Sequence, residues 1–136
     1  MKRILLVEDQ ENLRELYAGV LRGAGYQVTV AADGEEGVAA VSAEVPDLIL
    51  MDLNMPIMDG LRATKALKAA DSSHQIPVIA LTSSAMPEEV AEGLAAGCDA
   101  YIVKPINPND LLPELKLALE LISGDVNESS PDDSLF

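Results

Sequence analysis

The sequence has no tryptophan, a single phenylalanine and a single cysteine, and aromatic residues make up only 3% of its 136 positions. The lone Cys98 excludes a disulfide within the chain and is typical of a reducing compartment. Because 49% of the residues are hydrophobic, the core must be built from Val, Ile, Leu, Ala and Met. A chain of this length fits one domain of common size.

Positive charge and long apolar runs are also scarce. Nine lysines and arginines stand against 23 aspartates and glutamates, a formal net charge of −14, which opposes binding to nucleic acids or anionic lipids. No apolar run approaches the roughly 20 residues of a membrane-spanning helix, and the apolar stretch in MKRILLVED is too short for a signal peptide. We therefore expect a cytoplasmic protein with neither a nucleic acid nor a membrane as its partner.

Short apolar runs alternate along the chain with segments of helical spacing. Five of these runs predict buried strands: residues 4–7, 27–32, 48–51, 76–81 and 100–103. A segment that predicts a helix follows each of them. Five β-α units without a long insertion favour an α/β fold, in which helices cover both faces of a parallel sheet.

Residues with known preferences for helix ends mark the predicted helices. In chain order these are Gly25 after the first helix, Asp33-Gly34 before the second, Asp59 before the third, and Pro87 and Gly97 around the fourth. In the first helix, Tyr17 is one of the residues at apolar helical spacing.

The last helix is predicted from a face formed by Leu112, Leu115, Leu119 and Ile122. Its start stays open between two alternatives. Pro113 fits a first turn capped by Asp110, but it would kink a helix capped earlier, at Asn107.

Polar residues stand where four of the predicted strands end. Glu8 and Asp9 follow the first strand, Asp52 the third, Thr82 the fourth and Lys104 the fifth. Open parallel sheets bind their ligands beyond the carboxyl ends of the strands, so these side chains are expected to meet at one rim. Burying the charge of Asp52 behind an apolar run costs several kcal/mol unless the charge is paired or metal-bound. We therefore predict a chemical role for Asp52.

Three carboxylates at one rim repel one another and need a compensating charge. Two charges about 4 Å apart interact with roughly 4 kcal/mol at an effective dielectric constant near 20. Either one acid keeps a proton, or a hard divalent cation binds between the oxygens. For Mg²⁺, Asp9 and Asp52 would be direct ligands, Glu8 would act through water, and the Asn54 carbonyl would complete the set. The lysine and the threonine hydroxyl at this rim can then hold a phosphoryl group.

Four sequence blocks carry these residues. They are ILLVED at 4–9, DLILMDLNMPIMDG at 47–60, IPVIALTSSAM at 76–86 and GCDAYIVKPI at 97–106. In this order and spacing, the chain resembles the receiver domains of two-component response regulators over residues 2 to about 122. The resemblance implies a flavodoxin-like (βα)5 fold with a doubly wound, five-stranded parallel sheet in the order 2-1-3-4-5. It also implies a cis peptide between Lys104 and Pro105.

The resemblance implies a phosphoacceptor of a two-component or phosphorelay system, not an enzyme with a separate substrate. Asp52 would accept a phosphoryl group from the phosphohistidine of a sensor histidine kinase or a histidine phosphotransfer protein. Glu8 and Asp9 would organise Mg²⁺, and Lys104 would contact the phosphoryl group. The chain would catalyse both its own phosphorylation and its own dephosphorylation.

The resemblance also implies how the signal is tuned and passed on. Thr82 and Tyr101 would act as a coupled switch, and Asn54 and Ser84 would tune the access of water to the acyl phosphate. The output surface would be formed by helix four, strand five and helix five, at about residues 87–122. This surface would contact a downstream protein target, and the chain would be a monomer or a weak homodimer.

We expect two regions in the chain, a receiver domain at residues 1–122 and an acidic, disordered tail at residues 123–136. Met1 stands directly before the first predicted strand, and only 14 residues follow Ile122. The expectation is therefore a stand-alone, single-domain response regulator.

Two alternative functions belong to other classes. One is a receiver-like interaction module that works without phosphorylation, although the intact set of acids, threonine and lysine argues against it. The other is a Mg²⁺-dependent phosphatase with an aspartate nucleophile. Such a phosphatase usually has a second acid two residues after the nucleophile, where this sequence has Asn54.

Overall fold

The computed structural model describes residues 2–53, 60–83 and 86–123, and within these ranges five strands alternate with five helices. The strands are β1 (Arg3–Val7), β2 (Gln27–Ala31), β3 (Leu48–Asp52), β4 (Val78–Thr82) and β5 (Ala100–Val103). The helices are α1 (Glu11–Gly23), α2 (Gly34–Ala43), α3 (Gly60–Ala69), α4 (Pro87–Ala96) and α5 (Pro108–Ser123). None of the described helices is both long and apolar enough to span a bilayer.

The five strands form one sheet in the order β2-β1-β3-β4-β5, and all neighbouring strands are parallel. The register pairs Leu5 of β1 with Ile49 of β3. The order reverses direction between β1 and β3, and a ligand site is expected beyond the carboxyl ends of these two strands. The predicted flavodoxin-like α/β fold is therefore confirmed.

The core lies in two layers on opposite faces of the sheet. Strands β3 and β4 are buried at every position, as expected where helices cover both faces. Side chains alternate between the faces, so Leu50 packs in the layer with α1 and α5 whereas Ile49 packs in the layer with α2 and α3. This packing fixes the central strands and with them the rim where the acids stand.

The predicted helix ends agree with the structure wherever they fall on described residues. Gly25 (φ 101°) and Gly97 (φ 114°) adopt the left-handed conformation that glycine favours after a helix. Asp33 caps α2 by accepting the N–H of Glu36 at 2.8 Å, and Pro87 is the first residue of α4. The predicted cap Asp59 lies outside the described residues.

The structure decides between the two possible starts of α5, a helix capped by Asp110 or one capped by Asn107. It begins at Pro108, and the side chain of Asn107 accepts the N–H of Asn109 at 2.8 Å. Pro113 therefore lies inside the helix, where its missing N–H leaves the Asn109 carbonyl without its usual helical partner. The predicted face packs on the core, with Leu115 buried and Leu112, Leu119 and Ile122 partly buried against it, and the adjoining Leu111 and Ala118 are buried as well.

The carboxyl ends of β3 and β4 each lie one residue beyond the prediction, and this difference affects the site. Asp52 and Thr82 are the last residues of β3 and β4 rather than the first residues of loops. Ile76 precedes β4 because its N–H closes a turn on the Ser73 carbonyl at 3.1 Å. As strand residues, Asp52 and Thr82 have backbones fixed by the sheet.

Candidate functional site

Three carboxylates converge at the carboxyl ends of β1 and β3. One oxygen each from Glu8, Asp9 and Asp52 lies within 4.8 Å of the other two. Glu8 and Asp52 are buried, with exposed fractions of 0% and 1%, and Asp9 is half-buried. The hydrophobic sheet thus holds three acids together, one of them open to solvent.

Lys104 reaches this cluster from the end of β5. Its Nζ lies 2.9 Å from Glu8 Oε1 and 3.5 Å from Asp52 Oδ2. The Lys104 backbone N–H donates to the Thr82 carbonyl at 2.7 Å, which fixes the point where the side chain starts. The amine lies between the two buried carboxylates and offsets only one of the three acids.

The pKa of Lys104 lies above its usual value of 10.5. Burial by itself lowers the pKa of an amine. The hydrogen bond that the amine donates to Glu8 and the negative charges of Asp52 and Glu8 together outweigh that effect. Lys104 is therefore a permanent positive charge at neutral pH.

Both carboxylate oxygens of Glu8 accept hydrogen bonds. Oε1 accepts from Lys104, and Oε2 accepts the backbone N–H of Gln10 at 3.2 Å. Arg14 Nη1 also donates to the Glu8 backbone carbonyl at 3.0 Å. These bonds hold Glu8 rigidly and orient it toward the lysine.

Helix α3 begins directly against the backbone of Asp52. A Cβ at Gly60 would collide with the carbonyl oxygen of Asp52, and the Gly60 N–H donates to the Leu53 carbonyl at 3.3 Å. Only glycine permits so close an approach. Gly60 therefore helps to fix the strand end that carries the acid.

The carboxylates have the chemistry of a hard-cation site. Mg²⁺ prefers carboxylate and carbonyl oxygens with several waters, and the three acids supply such oxygens within reach of one ion. Lys104 leaves part of their negative charge uncompensated, which favours a divalent cation. The residues present therefore fit Mg²⁺. The predicted ligand Asn54 and the predicted tuning residue Ser84 lie outside the described residues.

Thr82 and Tyr101 flank a small cavity between β4, β5 and α4. The cavity has a volume of about 10 Å³, and its lining includes Leu53, Gly93 and Leu94. Thr82 is buried, whereas Tyr101 is turned outward with 43% of its surface exposed. The two residues predicted as a switch are thus brought to one cavity.

Tyr17 on α1 is a site neighbour that the sequence reasoning placed only among the apolar residues of a helix. It is buried near the Ile106 backbone, just past the peptide between Lys104 and Pro105, which is cis as predicted. Burial raises the pKa of Tyr17, with the positive charge of Lys104 opposing the shift. The available signal was a tyrosine in an apolar stripe, since a buried hydroxyl usually needs a partner.

Comparison with known proteins identifies the family. The model of the response regulator receiver domain matches residues 4–116. The chain is 36% identical over 134 residues to the DNA-binding response regulator MtrA of Mycolicibacterium smegmatis, covering 98% of this chain and 55% of MtrA. It is 37% identical over 122 residues to the phosphate regulon transcriptional regulatory protein PhoB of Escherichia coli K12, covering 90% of this chain and 53% of PhoB. The chain thus spans about half the length of these curated relatives.

Solved structures agree with this assignment. The chemotaxis response regulator CheY4 of Vibrio cholerae superimposes with a TM-score of 0.82 at 36% identity, covering 87% of this chain and 98% of CheY4. The receiver domain of the sensor histidine kinase PA1611 from Pseudomonas aeruginosa PAO1 superimposes with a TM-score of 0.78 at 34% identity, covering 90% of this chain and 98% of that domain. That structure holds a magnesium ion in its active-site cleft. Because the family model matches residues 4–116, most of the sequence, this chain belongs to the response regulator receiver domain family.

Proposed function

We propose that this chain accepts a phosphoryl group on Asp52 from the phosphohistidine of a histidine kinase or histidine phosphotransfer protein. Receiver domains are signalling phosphoacceptors that interact with histidine kinases and bind Mg²⁺ at their acidic site. The observation that carries the proposal is the position of the Lys104 amine, 3.5 Å from Asp52 and 2.9 Å from Glu8. A buried acid with a fixed cation beside it is suited to hold a transferred phosphoryl group.

In the proposed step, a carboxylate oxygen of Asp52 attacks the phosphorus atom in line with the leaving histidine nitrogen. The new bond joins oxygen to phosphorus, and the phosphorus–nitrogen bond breaks with its electron pair leaving on the imidazole. Lys104 offsets the charge on the phosphoryl oxygens, and the Thr82 hydroxyl donates a hydrogen bond to one of them. The protein contributes mainly positioning and electrostatics.

Asp9 and Asp52 are the proposed direct ligands of Mg²⁺, with the Asn54 carbonyl as a third protein ligand. Glu8 is assigned a contact through water, because both of its carboxylate oxygens already accept hydrogen bonds. When bound, Mg²⁺ supplies positive charge that offsets the carboxylates and the phosphoryl oxygens.

Both the loss of the phosphoryl group and the change in conformation that passes the signal on depend on this site. Water hydrolyses the acyl phosphate, with Asn54 and Ser84 tuning its access, so the chain catalyses its own dephosphorylation. Thr82 moves toward the phosphoryl group, and Tyr101 turns inward beside it. The cavity between the two residues supports this coupling, which shifts a population of conformers rather than creating a new one.

The proposed partners of these residues are proteins. MtrA is a DNA-binding response regulator and PhoB a transcriptional regulatory protein, and this chain corresponds to about half the length of each. The net charge of −14 opposes direct contact of this chain with DNA. We propose a single-domain regulator of the cytoplasm, with a receiver domain at residues 1–122 and an acidic tail at 123–136. As a monomer or weak homodimer, it would act on a downstream protein through the face formed by α4, β5 and α5.

Incubation with acetyl phosphate and Mg²⁺, followed by intact-mass spectrometry, tests the proposal. The expected result is the addition of one phosphoryl group, which requires Mg²⁺ and is absent in Asp52→Asn. A phosphatase would instead consume many equivalents of the donor. A module that works without phosphorylation would show neither result, and either outcome would overturn the proposal.

A further inference from the structure

An apolar groove runs between α4 and α5 over the outer edge of β5. We call it the α4–α5 groove; it has a volume of about 390 Å³ and is lined by Leu94, Asp99–Ile102, Glu114, Leu117, Ala118 and Leu121. Its side chains are exposed, with 51% of the surface of Leu94, 44% of Leu117 and 58% of Leu121 open to solvent. Clustered exposed apolar residues of this kind mark interaction sites, and the volume falls in the range of about 300–1,000 Å³ typical of ligand pockets.

The elements around the groove carry a strong excess of negative charge. Residues 87–122 contain seven acids and two lysines. Of the lysines, Lys104 points inward to Glu8, and Lys116 does not line the groove. The lining itself contains Asp99 and Glu114 and no basic residue. Lys68 of α3 approaches Asp99 to 2.9 Å, so Glu114 carries the main uncompensated charge of the described lining.

The negative charge around the groove distinguishes between the molecules that could bind there. A second copy of the chain would bring the same acids face to face, and like charges at an interface oppose association. The chain's own residues 124–136 contain four acids and no base, so they are repelled in the same way. A partner with positive charge beside its apolar residues complements both the lining and its surroundings.

We propose that the α4–α5 groove docks a basic amphipathic helix of a partner protein. Leucine-like residues one helical turn apart would enter between Leu94, Leu117 and Leu121, and lysines or arginines on the flank would face Glu114 of the lining. This is the helix-in-groove mode of recognition, in which the apolar stripe supplies affinity. The flanking charges set the choice of partner and the dependence on salt.

The inference deepens the proposed function and rests on it for its connection to phosphorylation. Tyr101 lines both the α4–α5 groove and the small cavity that contains Thr82. A change in the position of Tyr101 therefore alters the floor of the groove. By linkage, a helix that prefers the phosphorylated form must also stabilise that form by the same factor.

The test measures binding of synthetic peptides to the full chain by fluorescence anisotropy. The probes are three designed helices with leucines at intervals of three and four residues and lysines at the remaining positions. Two matched sets replace the lysines with glutamates or the leucines with serines. We expect the basic amphipathic set to bind at least about tenfold more tightly than either matched set. The affinity should fall as salt is added.

Variants locate the binding surface. Glu114→Lys and Leu121→Ala should each weaken binding of the basic helices by about fivefold or more. Glu15→Lys makes the same charge change at an exposed position of α1 and should leave the affinity within about twofold. Equal effects of Glu114→Lys and Glu15→Lys would mean nonspecific attraction and would overturn the proposal.

Other outcomes would show that something else occupies the groove, or that the proposed function rather than the inference is wrong. Dimers in sedimentation velocity that Leu121→Ala abolishes, with no peptide bound, would assign the groove to a second copy. A gain of about tenfold in peptide affinity for Phe136→Ala would assign it to the chain's own tail. Both results contradict the inference. Acetyl phosphate labelling of the same samples is scored separately, so a chain that binds the basic helices without gaining a phosphoryl group contradicts only the proposed function.

Discussion

At the residue scale, the pairing of Lys104 with Glu8 joins positions 96 residues apart, with Glu8 fully buried and Lys104 partly buried. A buried ion pair contributes little net stability when complete, because desolvation offsets the attraction. Removing one partner is different, since the remaining charge stays buried and unpaired. The site is therefore sensitive to the loss of either side chain.

Replacement of Lys104 tests whether the stability of the protein depends on this ion pair. We expect Lys104→Ala to lower the free energy of unfolding by about 3 kcal/mol, because Glu8 loses its cationic partner in a fully buried position. Urea denaturation at neutral pH measures the change. Lys116→Ala, at an exposed position of α5, is the control and should change stability by less than about 0.5 kcal/mol. Similar losses in both variants would contradict the account.

The pKa shifts predict how stability depends on pH. The folded state raises the pKa of both Tyr17 and Lys104 above their usual values of 10.0 and 10.5, so it holds both protons more tightly than the unfolded chain. The resulting stability is complete below pH 10 and is lost as pH rises through the folded pKa values. We expect urea midpoints to fall above about pH 10, and Tyr17→Phe to make this fall shallower. An unchanged slope in Tyr17→Phe would show that Tyr17 does not contribute.

At the element scale, α5 carries an internal proline whose position determines its effect. Pro113 lies in the sixth position of the helix, is exposed, and removes one backbone hydrogen bond. Pro108 occupies the first helical position, where proline has no hydrogen bond to lose. Proline thus costs a backbone hydrogen bond at position 113 and costs none at position 108.

Pro113→Ala should therefore stabilise the protein. The helical gain of about 3 kcal/mol, reduced by about 1 kcal/mol for the freer unfolded chain, gives an expected increase of about 2 kcal/mol. Thermal or urea denaturation tests it, with Pro108→Ala as the matched control that should bring no gain. A Pro113→Ala variant no more stable than the parent would show that the helix already accommodates the proline without loss.

The elements also show what the sequence can and cannot predict. The five strands and the glycine helix stops depend on local preferences and were predicted to within about two residues. The start of α5 stayed open in the sequence, and the deeper burial of Leu111 and Ala118 beside the partly buried Leu112 and Leu119 follows from tertiary contacts. The convergence of the acids and the lysine followed from the topology rule for parallel sheets. The position of Tyr17 near the Ile106 backbone required the packing of α1 beside the loop after β5, which no local signal specifies.

At the scale of the whole molecule, the three acids make folding and cation binding interdependent. We expect Mg²⁺ at about ten times its Kd to raise the free energy of unfolding by about 1.4 kcal/mol, since it binds only the folded arrangement. Asp9→Asn should remove this gain. Asp71→Asn, an exposed acid in the turn after α3, should keep it. Thermal shifts with and without Mg²⁺ provide the comparison, and an equal Mg²⁺ effect in both variants would place the ion elsewhere.

The central claim is that the fold delivers one reactive carboxylate, Asp52, to an acidic pocket that also holds the Lys104 amine. Borohydride reduction of the phosphorylated chain converts an aspartyl phosphate to homoserine, which peptide mass spectrometry locates. The account predicts homoserine at position 52 alone, and only in samples phosphorylated with Mg²⁺ present. Modification at another acid, a phosphoryl group retained on His74, the single histidine of the sequence, or no modification with Mg²⁺ and donor in excess would contradict it.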